Sequence, residues 1–166
     1  FLTGERLFRL EYGEAHVAIR AGLAPDQPDN VVQPFITLRV GFYAHKSYVD
    51  RFGIPAGVED YAKHRFVVHD DMQMRAPFFQ WMHKVVPKDA MTFRCLDSNA
   101  LTEAILSGAG IGFLNQRDAK NNPDLIEIHP ALPEWDSPLW LVTHVDLHRT
   151  PKVQALVKFL KSNAKG

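Results

Sequence analysis

The chain has 166 residues and is 46% hydrophobic, enough to bury a core as one ordinary domain or as two small lobes. Its 19 lysines and arginines balance 19 aspartates and glutamates, so it lacks the positive field that draws a protein onto phosphate backbones and is not expected to bind DNA by itself. The single cysteine, Cys95, excludes an internal disulfide and no apolar run reaches membrane-spanning length, which together fit a protein of the reducing cytoplasm with no membrane partner.

The first residues, Phe1-Leu2-Thr3-Gly4-Glu5-Arg6, lack the charged start and apolar centre of a signal peptide, and the absence of an initial methionine leads us to expect a truncated piece. Strands are predicted at His16 to Arg20, Ile36 to Ala44, Phe66 to His69, Met91 to Leu96, Ile111 to Leu114 and Leu139 to His144. The proline- and aspartate-rich stretch from Ala24 to Asn30 reads as an exposed loop, and Ala131 to Pro138 as a second one. Between the strands, Phe78, Met82 and Val85 keep helical spacing; so do Leu101, Ala104, Ile105 and Gly108, and again Val153, Leu156, Val157 and Leu160. Pro151 suits the first turn of the last helix, with the Thr150 hydroxyl as its cap. This alternation of strands and helices predicts an α/β fold with largely parallel strands.

Several constellations bear on chemistry. Ser107-Gly108-Ala109-Gly110-Ile111-Gly112 has the glycines of a phosphate loop in the wrong order: a helix precedes them and a strand follows, so no helix N-terminus faces an anion. A left-handed helix cap at Gly108 and a tight entry into a buried strand explain them. His64, His69, Asp70 and Asp71 lie close in sequence but lack the spacing of a zinc site, and are read as a solvated loop end. No GxSxG or SxxK pattern is present, and Cys95 reads as inert core in a strand where Arg94 faces the other way, so no catalytic residue, metal ligand or cofactor is expected. Leu96-Asp97-Ser98-Asn99 is more informative. Asp97 or Ser98 should cap a helix that begins at the C-terminal end of a strand, the place where open α/β folds bind ligands.

Taken together, these segments resemble the effector-binding domain of LysR-type transcription regulators. The resemblance is carried by Gly13-Glu14-Ala15-His16-Val17-Ala18-Ile19-Arg20, by Leu38 to Ala44 followed by Ser47-Tyr48-Val49, and by Trp81. It continues through Asp97-Ser98-Asn99-Ala100-Leu101, Gly108 to Leu114, Leu132-Pro133-Glu134-Trp135 and the Pro151 helix. It implies a type II periplasmic-binding-protein-like fold: two α/β lobes joined by two crossover strands, with lobe I at residues 1–43 plus 137–166 and lobe II at 44–136. It also implies that lobe I is incomplete, because the family's opening strand and first helix have no counterpart before Phe1. Two further departures are His16, where the family usually has aspartate, and Asn115-Gln116, where it has Leu-Pro.

The resemblance implies a ligand-gated switch without chemistry, in which a small-molecule effector held between the lobes biases their closure. The expected effector contacts are Arg20, Asp70, Asp71, Met72, Gln73, Ser98, Asn99 and Asn115. Arg20 could pair the carboxylate of an anionic effector. DNA would be bound only through a helix-turn-helix outside this chain, in a regulator that is a homodimer or tetramer. A free-standing solute-binding protein of the same fold is the alternative reading, and an enzyme on this scaffold comes third.

Overall fold

Residues 40–44 are bulky, apolar or glycine without alternation, the pattern of a strand covered on both faces, and in the computed structural model they are buried throughout. The structure describes residues 9–72 and 76–164. In chain order its elements are β1 (Ala18–Ala21), β2 (Asn30–Leu38), β3 (Val40–His45), α1 (Lys46–Phe52), β4 (Val67–His69), α2 (Pro77–Val85), β5 (Phe93–Cys95) and α3 (Ser98–Leu106). They continue with β6 (Gly112–Asn115), α4 (Gln116–Lys120), β7 (Leu125–His129), β8 (Ser137–His144), α5 (Val145–His148) and α6 (Pro151–Asn163). Short 3-10 turns, among them Val58–Lys63 and Pro133–Trp135, link these elements.

The chain divides into two compact units, a central one from Leu38 to Ser137 and a flanking one that combines residues up to Thr37 with those from Pro138 onward. Residues 38–43, expected in the first lobe, therefore belong to the central unit. The reason is pairing: β3 lies between β6 and β7 and is antiparallel to both. Strands β4 and β5 pair in parallel, and a parallel bridge from Phe66 to Ile111 joins them to β6. At that junction Val67 N–H donates to Ile111 O and Ile111 N–H donates to Arg65 O, both at 2.8 Å. The order is thus β5-β4-β6-β3-β7, in which β3 alone opposes the others, so the expectation of mainly parallel strands holds in this unit.

The central core is aromatic. Phe42 lies 4.8 Å from Phe113 and 5.8 Å from Phe66 between ring centroids, and Trp135 meets Trp81 and Phe113 at 4.9 Å each, edge to face. Glycines let the α3–β6 connection approach the sheet. Gly108 adopts φ +79°, and a Cβ at Gly112 would lie 2.6 Å from the end of Ile105. The sequence's glycine cluster is accounted for by this packing.

In the flanking unit β8 lies between β1 and β2, with β1 antiparallel to it from Ala18 opposite Val142 to Ala21 opposite Leu139. Its core is small: Leu141, Val153 and Val157 are buried, with Val17, Phe35, Leu147 and Leu160 packed partly against them.

Four local expectations need correction. The run from Ile36 to Ala44 is two strands, because Arg39 leaves the ladder; its carbonyl accepts from Gln116 N–H at 3.0 Å and its guanidinium pairs with Asp136 at 3.9 Å. Strand β7 was not anticipated. Thr150 does not cap α6 with its side chain, because its hydroxyl donates to Leu147 O at 2.7 Å. His64 and His69 are buried and not solvated, each held by specific hydrogen bonds: His64 Nδ1 with the Tyr48 hydroxyl at 3.1 Å, and His69 Nε2 to Leu96 O at 3.0 Å.

Candidate functional site

The C-terminal end of β6 and the first turn of α3 meet over a pocket of about 220 Å³ that lies wholly within the central unit. Helix α3 starts there because Asp97 is extended and its carboxylate accepts from Ala100 N–H at 2.8 Å, satisfying one of the amides that a helix start leaves unpaired. Leu101, Ala104 and Ile105 turn inward at helical spacing, and Gly108 ends the helix in the left-handed region. The apolar wall of the pocket comes from Val67 of β4, Phe78 and Phe79 of α2, Leu101 and Ile105 of α3, and Phe113 of β6. Ser98, Thr102 and Asn115 supply its polar atoms. The Thr102 hydroxyl donates to Ser98 O at 3.1 Å, and Asn115 Oδ1 accepts from Arg117 N–H at 2.9 Å as the cap of α4.

Of the residues singled out in the sequence, Ser98 and Asn115 are brought together at this pocket, whereas Arg20, Asp70, Asp71, Met72 and Asn99 stand outside its wall. Asn99 is exposed on the first turn of α3. Asp70 follows β4 and is ion-paired with Arg94, whose Nε donates to it at 2.6 Å. Asp71 N–H donates to His69 Nδ1 at 3.1 Å, which with the Leu96 contact fixes the His69 ring as the Nε2–H tautomer and anchors the loop that follows. Met72 is exposed, and Gln73 lies outside the described residues. Arg20 belongs to the flanking unit, where its Nη1 donates to Gln27 Oε1 at 2.6 Å.

Sequence reasoning missed Thr102, Phe78 and Phe79 as pocket residues. Thr102 was within reach, since it follows Ser98 by one helical turn and so shares its face. Cys95 is only partly buried, and its sulfur accepts from Asp97 N–H at 3.4 Å. Among the described residues no three His, Cys, Asp or Glu side chains group as metal ligands, and no helix is long and apolar enough to cross a membrane.

A helix start capped by Asp97 beside an apolar pocket, on a sheet in which one returning strand opposes its neighbours, stands at the strand ends where open α/β folds bind ligands. Sequence comparison assigns residues 2–165 to the LysR substrate binding domain. The chain belongs to this family. As a LysR substrate-binding domain it has the type II periplasmic-binding-protein-like α/β fold, and solved structures agree at the level of fold. The CrgA regulatory domain of Neisseria meningitidis, a LysR-type regulator, superposes with a TM-score of 0.76 at 20% identity, over 97% of this chain and 81% of that one. Full-length AphB of Vibrio cholerae, a virulence activator, gives 0.70 at 16% identity, over 97% of this chain and 56% of its own. Full-length CbnR, crystallised with its target DNA, gives 0.63 at 15% identity, over 95% of this chain and 56% of its own. The LysR substrate-binding domain thus spans little more than half the length of these intact regulators. No curated protein sequence matches it.

Proposed function

We propose that this domain senses a small-molecule effector for a LysR-type transcription regulator of the cytoplasm, and that it does so by occupancy, without making or breaking bonds. The family assignment over residues 2–165 carries the reading, and the pocket beside Ser98 and Asn115 gives it a physical basis. Ser98, Asn99 and Asn115 offer hydroxyl and amide groups at the strand and helix ends. Asp71 and Met72 follow β4, held at their root by the Asp70–Arg94 ion pair, Gln73 is an effector contact expected from the sequence, and Arg20 provides a cation on the flanking unit. Effector contacts that differ between lobe arrangements would shift the balance between them.

DNA would be engaged by a separate helix-turn-helix, since 19 basic and 19 acidic residues leave this chain without a net field for phosphate. Dimers or tetramers would present those helices together.

The test is a thermal-shift screen of small carboxylates and aromatics on this domain, followed by the responding solutes on Arg20→Leu and Ser98→Ala. A true effector raises the melting temperature with increasing concentration. Each substitution is expected to weaken it roughly tenfold, about 1.4 kcal/mol. A responding solute that ignores both substitutions, or one that fails to alter the intact regulator's hold on its operator, would remove the sensing role.

A further inference from the structure

We infer that the central unit alone binds a small neutral monocyclic aromatic molecule, in the pocket between α2, α3 and β6. The inference rests on the sensing reading for its biological purpose, but its geometry needs only residues Leu38 to Ser137.

Size comes first. An apolar cavity of about 150 Å³ in a protein interior stays dry and holds benzene. The pocket here is about 220 Å³, which accommodates one six-membered ring with a small substituent. Lining comes second. Phe79, Phe113 and Phe78 offer ring faces and edges, and their mutual geometry, with centroids at 4.5 Å for Phe78–Phe79 and 5.3 Å for Phe78–Phe113, is that of an aromatic cluster open to one more ring. Leu101 and Ile105 close the α3 side.

Polarity comes third. Among the described residues the wall carries no charged side chain; its polar atoms are the Ser98 and Thr102 hydroxyls and the Asn115 amide. These suit a hydroxyl or a similar uncharged substituent, which can be matched by neutral partners at modest cost. A carboxylate would lose part of its hydration there and, among the described lining residues, would gain no cation in exchange, and the Asp97 carboxylate already occupies the positive end of α3. The pocket therefore selects a phenol-like solute over a benzoate-like one of the same size.

The experiment titrates the whole 166-residue chain with phenol, and separately with benzoate, while following the methyl signals of Ile105, Leu101 and Val67 by carbon–proton NMR. Saturable shifts of these methyls with phenol, with benzoate at least roughly tenfold weaker, support the inference. Thr102→Phe, which fills the mouth from a half-buried helix position, is expected to abolish the shifts. Leu101→Phe gives the same answer from inside the pocket should the first variant fold poorly. Phenol shifts that are absent, that do not saturate, or that survive both filling variants overturn the inference, and equal binding of benzoate overturns its neutral class. If phenol saturates the pocket yet no solute alters the intact regulator's DNA binding, the pocket stands and the sensing role falls. If an effector raises the melting temperature without moving these methyls, the sensing role stands and the pocket falls.

Discussion

The Tyr48 hydroxyl accepts from Arg65 N–H at 2.9 Å and is hydrogen-bonded to His64 Nδ1 at 3.1 Å, so one oxygen satisfies two groups. Removing it with Tyr48→Phe keeps the ring packing and strands a buried nitrogen, and should cost about 1–3 kcal/mol, read from the shift in urea midpoint. The burial of His64 also sets a pH response. Burial holds the His64 imidazole below its ordinary titration range, partly offset by nearby Asp60. On acidification the unfolded chain takes up this proton first, so stability falls as the pH drops from the ordinary histidine range toward the lower folded value. Urea midpoints measured from about pH 7.5 to about pH 5.5 should decline, and His64→Gln should flatten part of that slope. Asp60, partly exposed, acts in a lower range: Lys63 holds its carboxyl below the usual carboxylate value, so its contribution is present above that value and fades in stronger acid.

At the level of elements, α3 depends on a single side-chain cap. Asp97→Ala should destabilise the domain by about 1 kcal/mol while leaving the sheet intact, measurable as a drop in melting temperature with unchanged far-ultraviolet dichroism. That helix, α2 and α6 were legible in the sequence because each buries one stripe: Leu101, Ala104 and Ile105 in α3, Phe78, Phe79 and Met82 in α2, and Val153 and Val157 in α6. Strand β7 was not, since Leu125-Ile126-Glu127-Ile128-His129 is a short run without clean alternation and lies half-buried beside β3 alone. The break at Arg39 escaped notice because β-type residues continue on both sides, and only a tertiary contact with Gln116 and Asp136 marks it. The positions of Ser98 and Asn115 at a helix start and a strand end were legible because such ends can be placed from capping chemistry and strand patterning. The pocket wall was not, because Phe79, Leu101 and Phe113 are the residue types of any core, and a void between them exists only in three dimensions.

At the scale of the molecule the two units are unequal. The flanking unit's hydrophobic cluster is built on Leu141, Val153 and Val157, whereas the central unit is packed around Phe42, Phe66, Phe113, Trp135 and their neighbours. Amide hydrogen exchange should therefore be slowest in β3, β4 and β6 and distinctly faster in β1 and β2; equal protection in both units would contradict this. The inequality has a second consequence, because the flanking unit is assembled from segments on either side of the central one. As the chain emerges from the ribosome, residues 38–137 can collapse on their own schedule. The segment holding β1 and β2 must wait, its edges unsatisfied, until β8 and α6 have been synthesised, and in that interval it is the part most exposed to chaperones and to mispairing with another nascent chain.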